Sequence, residues 1–211
     1  MTCYKKQLSF YVLDSPEQEE LHQALKQLEE DMGIKSLAGM LYALLSELIE
    51  NAVRANLKRI YFHHKQIELT EDEGYNEILE EFRSSYDEIY RSEAHRESLR
   101  EQSLSISVTI DLTEERLTIY VVNNSRLLEQ EEARIREKLS RAMQADNLLE
   151  YAGEEQDTTE GMGLGFAIVV LLIKHLGFKP EYFRIYSADN KTIARLELPL
   201  SNEASLDRGT A

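Results

Sequence analysis

Two groups of residues in this chain have types and spacing suited to chemistry. The first is Gly161-Met162-Gly163-Leu164-Gly165-Phe166, where three of the nine glycines crowd together just ahead of a strongly apolar segment. Glycine has no Cβ, so it takes positive φ and lets the main chain approach a ligand. A helix that follows offers unpaired N–H groups and a positive dipole end to a phosphate. Nucleotide binding is one expectation from this run, and an ordinary loop-to-helix joint has the same pattern. The second group is Glu47, Asn51 and Arg54, spaced to share one face of a helix. Asn51 can give its amide oxygen to Mg²⁺, which prefers hard oxygen ligands, and Arg54 can neutralise phosphate oxygens. Glu47 can accept a proton from water or a hydroxyl. The same spacing also describes the solvated side of an amphipathic helix.

The elements that must position these residues follow from periodicity. Leu8, Phe10 and Val12 alternate as a first strand, and Ser15-Pro16 supplies an N-cap and a first helical residue. Leu21, Leu25, Leu28 and Met32 recur at helical spacing until Gly33, which is placed to end the helix. Ser36 caps a second helix reaching about Arg59, with Leu37, Leu41, Leu44, Leu45, Leu48, Ala52 and Val53 as its core face. A short strand is expected at 59–62. From Thr70 to Gln102 the chain is acidic and helix-prone, and Ile78, Leu79, Phe82, Tyr86, Ile89 and Tyr90 make an amphipathic face that either folds back on the domain or docks a partner.

Leu104 to Leu112 alternates, and Leu117, Ile119 and Val121 resume the pattern after a turn, which predicts a hairpin. A charged helical stretch over 128–145 and a loop over 153–160 lead to the glycine cluster. The following helix, 166–176, is apolar on nearly every side and ends at Gly177. Strands at 183–186 and 193–198 flank the turn pair Asp189-Asn190, and a polar tail from Ser201 is expected to be disordered.

Composition bounds the functions open to such a chain. Its 211 residues suit one α/β or α+β domain, and 42% hydrophobic content supports a substantial core. Twenty-four basic against thirty-nine acidic residues give a net charge of −15 without a basic cluster, which argues against nucleic acid. One cysteine, Cys3, excludes an internal disulfide framework, and the longest apolar run, Phe166 to Ile173, is too short to span a membrane. A soluble cytoplasmic protein is expected, since nothing at the N-terminus resembles a signal peptide.

Glu47-Leu48-Ile49-Glu50-Asn51-Ala52-Val53-Arg54-Ala55-Asn56 resembles the N box of the GHKL ATP-binding superfamily, which includes histidine kinases, gyrase, mismatch-repair ATPases and anti-sigma-factor kinases. Gly161 to Val169 resembles its second glycine box, and Lys191-Thr192 to Leu198-Pro199 its closing threonine-plus-strand segment. The motifs fall in the family's order. The resemblance covers roughly 36–200 apart from the acidic insertion. It implies a two-layer α/β sandwich of Bergerat type, with a mixed, mainly antiparallel sheet packed on helices.

ATP and Mg²⁺ would then be the cofactors. Asn51 would coordinate the metal, Glu47 would polarise water, and Arg54 would contact phosphate. Gly161, Gly163, Leu164 and Gly165 would form the hinge and phosphate-facing backbone, and Thr192 would lie near the adenine. The implied organisation is one domain over 1–200, with an insertion at about 70–103, an ATP lid at about 126–160 and a tail over 201–211. The family's usual Asp-x-Gly is replaced by Asn123-Asn124-Ser125. Asn123 still offers an oxygen to the adenine amino group but carries no charge; its other reading is a residue turning the chain at a strand end.

Two function classes follow. One is an ATP-dependent kinase or ATPase of histidine-kinase or anti-sigma-kinase type, transferring the γ-phosphoryl group to a separate protein. The other is a catalytically weakened or inactive interaction module that binds a partner protein. None of His22, His63, His64, His95 and His175 lies in a phosphoacceptor pattern, and no dimerising helical hairpin precedes the nucleotide motifs. The expected partners are therefore ATP and a separate phosphoacceptor or regulatory protein, with a homodimer left open.

Overall fold

The computed structural model describes residues 3–34, 36–66, 75–154 and 164–200. Its sheet comprises β1 (Tyr4–Phe10), β2 (Ile106–Leu112), β3 (Arg116–Asn123), β4 (Phe183–Ala188) and β5 (Lys191–Pro199), in the spatial order β1-β2-β3-β5-β4. All four pairings are antiparallel. On β2, Ile106, Val108, Ile110 and Leu112 are buried while Ser107, Thr109 and Asp111 are half-exposed, so strict alternation sends one face to the core. The β4–β5 turn uses Asp189 and Asn190 at φ 50° and 59°, both in the left-handed region that such tight turns require.

The helical layer is built around two helices, α1 (Ser15–Met32) and α2 (Leu37–His64). Gly33 ends α1 at φ 67°, where its N–H reaches the carbonyls of Glu29 and Glu30. The helix begins one residue earlier than expected. Ser15 is already helical and Asp14 stands at the cap position without a side-chain cap bond, because its carboxylate is engaged by Arg96. The expected strand at 59–62 is absent. Ile60, Tyr61 and Phe62 continue α2 and are buried, following Val53 and Leu57 at helical spacing. Packing of that continued apolar face overrides the β preference of an Ile-Tyr-Phe run.

The acidic segment folds back on the domain. Helices α3 (Tyr75–Ser84), α4 (Tyr86–Arg91) and α5 (Glu93–Glu101) bury Phe82, Ile89 and Leu99 in the same apolar cluster as the core of α2. The Tyr61 and Phe82 rings meet at 5.7 Å. Arg96 ties the segment to the chain after β1, donating to Asp14 at 2.5 and 3.3 Å and to the Tyr90 carbonyl at 3.1 Å.

Three further helices complete the layer: α6 (Glu129–Gln144), α7 (Leu148–Glu154), which the sequence reading did not anticipate, and α8 (Leu164–His175). Ala167, Val169, Val170 and Ile173 of α8 are fully buried, as its nearly all-round apolar character predicts. Gly177 follows at φ 77°. No described helix is long and apolar enough to cross a membrane.

Candidate functional site

α2 carries the first part of the site because its apolar stripe faces the core and leaves Glu47, Asn51 and Arg54 on a half-exposed side. Asn51 Nδ2 donates to Glu47 Oε1 at 3.1 Å, as the four-residue spacing allows. Gly165, in the first turn of α8, lies directly against this pair. A Cβ built at Gly165 would stand 1.8 Å from Glu47 Oε1 and 2.5 Å from its Cδ. The missing side chain is therefore what admits the Glu47 carboxylate, and it joins the two groups that the sequence leaves over a hundred residues apart. Gly161 and Gly163 lie outside the described residues, as does the side chain of Leu164.

Arg54 turns elsewhere. Its guanidinium lies 4.7 Å from the centre of the Tyr86 ring of α4, so the insertion holds the cation through a cation–π contact. Burial raises the Tyr86 pKa, while Arg54 opposes that shift. Glu50, one turn before Arg54, has its pKa raised by burial and by the neighbouring Glu47, again against Arg54.

The second part is built on the ends of two adjacent strands. Asn123 of β3 and Thr192 of β5 are direct cross-strand partners. Asn123 is only 4% exposed; its Nδ2 donates to the Ala52 carbonyl of α2 at 3.5 Å, a long and weak bond. Among the described residues its Oδ1 is buried and accepts no hydrogen bond. Thr192 Oγ1 donates to the Ser125 carbonyl at 2.7 Å. Ser125 in turn donates to Asn56 Oδ1 at 3.0 Å, and Asn56 Nδ2 donates to the Leu104 carbonyl at 3.1 Å. Ser125 is thus pinned to a fully buried asparagine of α2.

Gly165, Glu47, Asn51, Asn123 and Thr192 consequently form one strip running from α8 across α2 to the end of β3 and β5. Its side chains offer carboxylate, amide and hydroxyl oxygens, hard donors of the kind that hydrogen-bond a polar ligand or bind a hard cation. Asn123 contributes an orphaned acceptor, while Asn51 keeps an amide oxygen that is not used on Glu47. Among the described residues, no group of three or more His, Cys, Asp or Glu side chains is placed to hold a metal.

The sequence reading missed the residues that anchor the segment beyond β3. Lys58 and Arg59 of α2 meet Glu131 of α6 at 2.5 and 3.1 Å, and Glu131 also accepts from the Leu128 N–H at 2.9 Å. The Lys58 and Glu131 side chains are both 8% exposed. Burial alone would raise the Glu131 pKa, but Lys58, Arg59 and the Leu128 N–H together hold it below the usual glutamate value. At the other end of α6, Lys174 of α8 donates to the carbonyls of Met143 and Ala145 at 2.9 and 2.6 Å. The one sequence signal for the first clamp is Glu131, three residues after the cap residue Leu128, where a glutamate reaches back to the cap N–H.

This geometry defines a two-layer α/β domain with a polar strip where the helical layer meets one end of an antiparallel sheet. No protein-family model matches the chain. A protein of Treponema pallidum (strain Nichols) of uncharacterized function is 32% identical over 160 residues, which cover 75% of this chain and 31% of that protein. The aligned region thus spans about a third of that relative's length. Among solved structures, the crystal structure of the SiaB–SiaC complex from Pseudomonas aeruginosa superposes with a TM-score of 0.42 at 14% identity, over 92% of this chain and 89% of that one.

Proposed function

We propose that this domain is a GHKL-type regulatory module that binds Mg–ATP at the α2 strip and works through a separate protein partner, with phosphoryl turnover weakened or absent. The observation that carries the reading is the convergence of Glu47, Asn51, Asn123, Gly165 and Thr192, all named by the family resemblance, on one contiguous strip. Asn123 Oδ1 is an acceptor without a hydrogen bond among the described residues, and it would meet the amino group of adenine only once the nearly closed site opens around it. Asn51 would hold the metal through its amide oxygen, and Mg²⁺, when bound, would supply charge neutralisation at the phosphates.

Three features support weakened nucleotide binding or turnover. Asn123 replaces a charged acceptor with a neutral one, which roughly halves the strength of such a hydrogen bond. Arg54 is held over Tyr86. Glu47 spends one carboxylate oxygen on the Asn51 amide. In a second reading, transfer of the γ-phosphoryl group to a partner's side chain, Glu47 would accept the proton of the attacking group through the carboxylate oxygen not bonded to Asn51.

Calorimetric titration with ATP and a non-hydrolysable analogue, with and without Mg²⁺, tests the proposal. Both ligands are expected to bind, and Asn51→Ala is expected to remove the Mg²⁺-dependent part of the affinity. No heat of binding up to about 1 mM nucleotide would overturn the nucleotide site. Retention of the γ-phosphate over prolonged incubation, alone and with partner, distinguishes the regulatory reading from the transfer reading.

A further inference from the structure

β4 is the last strand in the sheet and pairs only with β5, so among the described residues its outer backbone N–H and C=O groups have no strand partner. Beside it runs an open groove of about 520 Å³, lined by Leu139 of α6, Phe183, Arg184, Ile185 and Tyr186 of β4, and Arg195 of β5. Leu139 and Phe183 are buried and give the groove an apolar floor, while Arg184 and Tyr186 stand exposed. No carboxylate lines it. The adjoining recess holds Glu181 and Glu197; Glu197 is paired with Arg195 and with Arg116, and Arg184 has no ion-pair partner among the described residues.

We propose that this groove is the partner-docking surface, and that its occupant is an extended acidic segment of another protein added to β4 as a sixth strand. An extended segment satisfies the open strand edge through main-chain hydrogen bonds, and alternate side chains then reach opposite sides. Its carboxylates meet Arg184, which has no ion-pair partner among the described residues, and its apolar side chains pack toward Leu139. The net charge of −15 does not exclude an acidic occupant, because charges farther than about 8 Å are screened at physiological salt and the unpaired Arg184 is the charge that faces the groove. A second copy of the chain fits poorly, since it would bring a second Arg184 to the same edge and add another −15. Leu139 on the groove floor belongs to α6, whose start is tied to Lys58 of α2 through Glu131, so the occupant touches an element connected to the helix that carries Glu47 and Asn51.

The inference rests on the partner-binding half of the proposed function and is tested separately from nucleotide binding. The probe is a fluorescein-labelled peptide of about eight residues alternating Glu with Val and Ile, titrated into the full chain by anisotropy, with a Lys-for-Glu peptide as control. The Glu peptide is expected to bind in the micromolar range and the Lys peptide at least about tenfold more weakly. Hydrogen exchange is expected to slow at the amides of 183–188. Arg184→Glu and, independently, Tyr186→Glu are expected to weaken the Glu peptide about tenfold while leaving the melting temperature and ATP affinity unchanged.

No binding up to about 1 mM, equal binding of the two peptides, or protection confined to other strands would overturn the proposal. So would self-association of the wild-type chain through this edge, detected by sedimentation. ATP binding without peptide binding sinks this inference alone; peptide binding without ATP binding leaves it standing and removes the nucleotide half of the earlier reading.

Discussion

At Gly165 the space for one methyl group is already filled by the Glu47 carboxylate. Gly165→Ala should raise helix propensity by about 1 kcal/mol, and the atoms it meets belong to the far end of a flexible side chain that can rotate away. The expected result is a stability change under about 1 kcal/mol together with a fall of about tenfold in Mg–ATP affinity, read by urea unfolding and calorimetry. A large stability loss with unchanged affinity would make the contact purely structural. Asn123→Asp sets opposite demands at one atom. A carboxylate there would face the Ala52 carbonyl in a nearly closed site, costing about 1–3 kcal/mol, and would offer adenine a charge-assisted acceptor. Lower stability with tighter ATP binding and no gain for GTP is expected; looser ATP binding would remove Asn123 from the adenine position. The types and spacing of Glu47, Asn51 and Gly165 were legible because helix periodicity and glycine density are local. The engagement of Arg54 by Tyr86 was not, since each lies on a helix whose pattern says which face is apolar without saying which neighbour that face meets.

Among the elements, α6 shows most clearly what is missing from a one-dimensional pattern. Its existence follows from a charged amphipathic stretch, but its attachment depends on a contact between positions 73 apart, Lys58 and Glu131. The same is true of the strand expected at 59–62. Short-range preference favoured a strand, whereas the continued apolar face of α2 and the returning insertion made those residues helical. Glu131 gives the clamp a defined pH dependence. Its folded pKa lies below its unfolded value of about 4.3, so its contribution to stability is present above that value and is lost as pH falls through the lower, folded pKa. Urea unfolding should therefore show stability declining below about pH 4, and Glu131→Gln should flatten part of that decline. At neutral pH the same variant leaves Lys58 and Arg59 without their carboxylate and should lose about 3–5 kcal/mol. A variant as stable as the wild type at pH 7 would show that the clamp contributes nothing net.

At the level of the molecule, the hairpin, the glycine helix stops and the two-layer architecture were readable because alternation and helical spacing report which faces are buried. The acidic segment illustrates the limit: its apolar face was evident, but only the fold reveals that Asp14 and α2 receive it. Asp14→Ala should loosen that docking, so hydrogen exchange should accelerate across 86–101 while the sheet amides keep their protection. Uniform acceleration would instead make the insertion inseparable from global unfolding. Behind all three attachments stands α2, whose 28 residues carry the Glu47–Asn51 pair, the Arg54 seat of α4 and the Lys58–Arg59 grip on α6 in succession. Such a shaft has a fixed phase. Inserting one residue between Asn51 and Lys58 would turn everything beyond it by about 100° and swing the grip away from Glu131, although every side chain remained present. Length along this stretch is thus as much a part of the design as residue identity, and homologues that vary freely in the acidic segment should admit no insertion or deletion here.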